Sequence, residues 1–130
     1  MTSNELIDIA HLAREFAHAP YSNFKVGAAL EAADGRVFTG CNVENSSYGL
    51  SMCAERIAIF KAISEGVHDF QRIAVIADAP YPVRPCGACR QVISDLFAPD
   101  AEVLMANLQG QTEIVTIAEL LPIPFNRSYL

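Results

Sequence analysis

The sequence predicts an α/β fold, a partly parallel five-stranded sheet with helices packed on it, in the order αββαβαββα. Three observations predict it. Strand-like and helix-like runs alternate through the middle of the chain, and a strand–helix–strand unit closes as a parallel pair. Two glycine turn signals, Asp34-Gly35 and Gln109-Gly110, each lie between short strand-like runs and add two hairpins. The 130 residues are 52% hydrophobic, which suits one domain, residues 1–130, that buries a core without disulfide staples.

Each element follows from local pattern. Thr2 and Glu5 have capping-box spacing, and Leu6, Ile9, Ala10, Ala13, Phe16 and Ala17 then share one helical face, closed by Pro20. Lys25 to Ala33 reads as a strand, and Arg36 to Asn42 as its return across Asp34-Gly35. After the polar loop VENSSYGLS, a helix runs from about Cys53 to its stop at Gly66. Phe70 to Ala77 contains the buried-strand run RIAVIA, and APYPVRP leads into a helix from Cys86 to Phe97. Glu102 to Asn107 and Glu113 to Thr116 form the last hairpin. Thr116 and Glu119 repeat the capping box before a short helix ending at Pro122, and residues 123–130 are an irregular tail.

Composition narrows the function classes. The net charge is −6, and nine scattered Lys and Arg make no basic stripe, so a nucleic-acid partner is not expected. Only 18% of residues are charged, which predicts an oligomer that covers apolar surface. No apolar run spans a bilayer, and MTSNELIDIAHLAREF lacks the basic start and apolar core of a signal peptide. A membrane partner is therefore not expected, and a cytoplasmic location is. There the four cysteines stay reduced and point to metal or catalysis.

The segment RPCGACRQ, Arg84 to Gln91, carries Cys86 and Cys89 at a helix start. Alone it fits a redox dithiol or half of a metal site. Cys53, also at a helix start, makes a third thiol that two core helices on one sheet could bring to the others. Zinc takes four ligands. Cys41 would close a structural site, although its place in a strand reads more simply as a small buried side chain. His11, His18 and His68 have no ligand-like spacing to the cysteines. An open fourth position marks a catalytic zinc. Glu55, two residues after Cys53, could lie beside such a metal and move a proton, or it could be a solvated carboxylate favoured by the helix dipole. Three thiolates and Zn²⁺ leave a net charge of −1. Arg56 would offset that charge by donating to sulfur.

CAER followed by PCGACRQ resembles the cytidine deaminase family, in its small homotetrameric branch. The likeness extends through PYSNFKVGAAL (Pro20 to Leu30), GCNVENSSYGLSMCAER (Gly40 to Arg56) and ELLP (Glu119 to Pro122). It implies a three-layer αβα fold, a mixed five-stranded sheet with helices on both faces. It implies one zinc ion per subunit, held by Cys53, Cys86 and Cys89. Glu55 would take a proton from water at the fourth position, protonate N3 of cytosine, and protonate the ammonia that leaves after attack at C4. The substrate would be a free nucleoside, cytidine and also 2′-deoxycytidine. The family pattern places Asn42, Val43 and Glu44 at the ribose, Phe24 on the pyrimidine ring and the backbone of Ala54 near the amino group. Phe125 would reach into a neighbouring subunit's site, in a homotetramer whose active sites are shared. Tyr48 also falls near a subunit boundary, and the short tail after Phe125 departs from the family pattern. The alternatives are a blasticidin-type deaminase, which NVEN argues against, a module with a four-cysteine structural zinc, and a redox dithiol.

Overall fold

The computed structural model describes residues 1–130. Its sheet has the strands β1 (Val26–Ala32), β2 (Val37–Cys41), β3 (Phe70–Ala77), β4 (Glu102–Asn107) and β5 (Thr112–Thr116), in the spatial order β2-β1-β3-β4-β5. The pair β3 and β4 is parallel, with Ile73 opposite Val103, and the other pairs are antiparallel. The sheet is mixed, as the chain order requires. The links from β2 to β3 and from β3 to β4 each pass through a helix, the second joining neighbouring strands as the parallel pair, and the two hairpins turn back on themselves.

Side chains alternate across this sheet and define two cores. Leu30, Ile73, Val75, Val103 and Met105 face α2 (Ala54–Ser64) and α3 (Gly87–Leu96). Ala29, Ala74, Ile76, Leu104 and Ala106 face α1 (Ser3–Arg14). A last short helix, α4 (Ile117–Leu120), follows β5. Helices thus cover both faces, in the three-layer αβα arrangement that the resemblance implies.

Two glycines set how closely the helices approach. A Cβ on Gly27 would lie 2.0 Å from the Ala10 carbonyl oxygen of α1. One on Gly40 would lie 2.3 Å from the Ala54 oxygen and 2.6 Å from the Ala58 nitrogen of α2. Glycine at position 40 is what lets the first turn of α2 rest on β2.

Both capping boxes form, Thr2 with Glu5 and Thr116 with Glu119. Gly35 and Gly110 adopt φ of 90° and 87°, the left-handed region that the two hairpin turns need. One expectation fails at α1. The helix stops at Arg14, Ile7 is buried, and Phe16 is 81% exposed instead of lying on the core stripe. The cause is a tightening of the chain. Phe16 and Ala17 donate to the carbonyls three residues back, and His18 is then delivered to bond Asn42. The polar loop also holds a 3₁₀ turn, Tyr48–Leu50, and the tail another, Arg127–Tyr129.

Candidate active site

The two helices on one face of the sheet aim their N-termini at a common point. Cys53 is the N-cap residue of α2 and Cys86 that of α3, while Cys89 lies in the first turn of α3 and is buried. Neither sulfur caps a backbone N–H of its own helix, so both are left to face each other. The three Sγ atoms all lie within 4.8 Å of one another, and those of Cys53 and Cys86 are 3.8 Å apart. Tetrahedral zinc with sulfur at about 2.3 Å requires sulfurs about 3.8 Å apart, so the donor set fits that ion. Cys41 stands outside this group, at the end of β2 in a groove with Leu12, Phe16 and Lys61. The four-cysteine structural site is not assembled.

Charge is concentrated around the thiols. Hydrogen bonding from Cys89, and then from Arg56, holds the Cys53 thiol well below its ordinary range. Arg56 donates to Cys53 Sγ at 3.3 Å, and its guanidinium also lies beside Cys89. The contact to sulfur is made by the terminal nitrogen, while the Arg56 Nε is buried with no hydrogen-bond partner. Bonding to Cys53 and burial push the Cys89 thiol up.

Glu55 is 4% exposed, which removes the reading of a solvated helix-start carboxylate. Burial pushes its carboxyl up to about 7, and charge on Cys53 adds to that rise. Ala54, directly between Cys53 and Glu55, is fully buried.

Beyond β2 the chain is held by two short bridges, Val43 to His18 and Val43 to Met52. They present Asn42 and Glu44 to one segment, while Val43 points away and is 41% exposed. Asn42 donates to the Phe24 carbonyl at 2.8 Å and accepts from the Val26 N–H at 2.9 Å. Glu44 accepts from the N–H groups of Tyr21 and Ser22, each at 3.1 Å, and from the Ser22 hydroxyl. These bonds hold the Glu44 carboxyl below the usual carboxylate range, the Ser22 hydroxyl having the largest effect. Tyr21, Ser22, Glu44, Tyr48 and Ser51 line a cavity of about 330 Å³.

Phe24 is 42% exposed and lines a separate hollow with Tyr81, Val83 and Arg84. Phe125 sits on the outer side of α2 and α3 near Phe60 and Val92. It stacks on Tyr129 at 5.3 Å, and its carbonyl accepts from Gln91 at 2.8 Å. The structure therefore brings together Cys53, Cys86, Cys89, Glu55 and Arg56, and separately Asn42 and Glu44. Sequence reading missed Ser22. Its role depends on a loop turn at Asn23, with φ of 57°, that has no periodic signature.

Residues 1–105 match the family described as cytidine and deoxycytidylate deaminase zinc-binding region. The chain is 55% identical over 122 residues to a cytidine deaminase of Halalkalibacterium halodurans, covering 94% of this chain and 92% of that one. A cytidine deaminase of Sporosarcina psychrophila is 50% identical over 130 residues, covering 100% and 96%. The crystal structure of cytidine deaminase from Burkholderia pseudomallei superposes with a TM-score of 0.94 at 53% identity, covering 96% of this chain and 100% of that one. A match that takes in β1 to β3, both thiol-bearing helices and most of β4 leaves little of the site outside it, and the chain belongs to the cytidine and deoxycytidylate deaminase family.

Proposed function

We infer that the protein is a zinc-dependent hydrolase that converts cytidine and water to uridine and ammonia. The observation that carries this reading is the convergence of Cys53, Cys86 and Cys89 beside a buried Glu55. Three protein donors leave one coordination position for a reactant, unlike a closed structural site. When bound, the zinc supplies Lewis acidity and makes a coordinated water acidic near neutral pH.

The remaining work falls to the chain. Glu55 accepts a proton from the attacking water and delivers it to N3 of cytosine, which makes C4 electrophilic. It then passes the proton of the new C4 hydroxyl to the departing amino group as the C4–N bond breaks and the C4 carbonyl forms, so one carboxyl serves as base and acid in turn. Arg56 keeps the thiolates charged and offsets the excess negative charge of the sulfur shell. The helix N-termini at Cys53 and Cys86 act in the same sense. The backbone of Ala54 lies near the amino group, and Phe24 packs on the pyrimidine ring. Asn42 and Glu44 face the ribose with Val43 between them.

A carboxylate has about four acceptor positions, and the chain uses three on Glu44. One remains for a single sugar hydroxyl, so the reading extends to 2′-deoxycytidine. The exposed apolar side chains of the tail support association of subunits, and our reading is a cytoplasmic homotetramer in which Phe125 completes a neighbour's site for small nucleosides. No helix is long and apolar enough to cross a membrane.

The direct test is release of uridine and ammonia from cytidine, with free cytosine as the paired control. Turnover of cytidine but not cytosine is the expected result. A folded, zinc-loaded protein that leaves cytidine unchanged would refute the assignment, and turnover of a different aminopyrimidine would redirect it to a blasticidin-type activity.

A further inference from the structure

The carboxylate at the sugar end of the proposed site is held by a single small side chain. We propose that Ser22 is a specificity-determining positioning residue, which aims the one free acceptor of Glu44 at a sugar hydroxyl. This inference rests on the nucleoside reading above and adds a residue to it.

The hydrogen bonds around Ser22 carry the argument. Its N–H donates to Glu44 Oε1 at 3.1 Å, and its hydroxyl donates to Glu44 Oε2. The same Oγ accepts from the Phe24 N–H at 3.0 Å. One hydroxyl thus uses its donor on Glu44 and an acceptor on the segment that carries Phe24. Tyr21 N–H takes a second position on Oε1, which leaves Oε2 as the oxygen with room for another donor. The two backbone N–H groups fix Oε1, and on Oε2 the Ser22 hydroxyl takes one acceptor position and leaves the other free.

The surrounding geometry is built for this contact. Asn23 is the only non-glycine residue with positive φ, 57°, and it turns the chain so that residues 22 and 24 face the same hydroxyl. Asn42 clamps the far side of the segment through Phe24 and Val26. Glu44 is fixed from behind by its own N–H, which donates to the His18 carbonyl at 2.8 Å. A carboxylate on a mobile side chain would lose rotamer freedom on binding a sugar, and holding it in advance removes that cost.

The experiment compares Ser22→Ala and Ser22→Thr with the wild type, using cytidine as substrate and 2′,3′-dideoxycytidine, which lacks both ring hydroxyls, as a competitor. For Ser22→Ala, the KM for cytidine is expected to rise about tenfold, the scale of one charge-assisted hydrogen bond, with kcat changed much less. The inhibition constant of dideoxycytidine should stay within about twofold, because Glu44 has no hydroxyl to meet there. Ser22→Thr keeps the hydroxyl and should restore the cytidine KM. Equal weakening of cytidine and dideoxycytidine, or an unrescued loss in Ser22→Thr with an unchanged melting temperature, would overturn the proposal. A wild type that does not deaminate cytidine would instead refute the underlying nucleoside reading.

Discussion

Arg56 shows how much one side chain at the edge of the site can control. It donates to Cys53 and lies beside Cys89, while its Nε has no other partner in a buried position. Arg56→Ala should leave the fold intact and lower zinc affinity or turnover roughly 10–100-fold, the usual scale for outer-shell partners of a metal. Zinc titration and kinetics on the same preparation check this. Wild-type affinity together with wild-type turnover would contradict the charge-offset role. At this scale the thiols were legible in the sequence, because Cys53, Cys86 and Cys89 all stand at helix starts and helix starts carry local signals. The occupancy of Asn42 and Glu44 was not. Their partners lie 16 to 23 residues away in irregular chain, where no periodicity reports a contact.

The first turn of α2 holds Cys53 as its cap and Glu55 inside it, so the packing of that turn on β2 positions both the candidate metal ligand and the proposed proton carrier. Gly40 is the contact point. Gly40→Ala forces a methyl to within 2.3 Å of the Ala54 oxygen, and the turn must shift outward. Overpacking of this kind costs about 1–3 kcal/mol, so the melting temperature should fall and zinc retention with it. Unchanged stability and zinc content would show that the turn has slack the packing does not reveal. The strands were read closely from pattern. Phe70 to Ala77 and Glu102 to Asn107 match β3 and β4 residue for residue, because a strand buried on both faces is a continuous apolar run. The end of α1 was misread because Phe16 continues the helical spacing, whereas the chain tightens there onto the Ala13 and Arg14 carbonyls and His18 then bonds distant Asn42, just after β2.

At the scale of the molecule, one face remains uncovered. Phe60, Phe125 and Leu130 are exposed around one cavity on the outer side of α2 and α3, and the exposed Tyr129 stacks on Phe125. Contiguous apolar surface of this kind calls for a partner. Sedimentation equilibrium should give a particle four times the 14.1 kDa chain mass. A fully active monomer would contradict the shared-site reading of Phe125. The low charge content hinted at assembly, but composition has no way of locating a surface, and only the fold shows that the exposed residues fall together.

The account stands or falls on the division of labour between three sulfurs that hold zinc and one carboxyl that moves protons. Measuring bound zinc and cytidine turnover together in Glu55→Gln tests that division most directly. The predicted result is one zinc per chain, as in the wild type, with turnover lowered about 10²–10⁴-fold, the typical contribution of a positioned acid–base group. Zinc lost along with activity would make Glu55 part of the metal shell. Zinc kept with wild-type turnover would contradict the account at its centre.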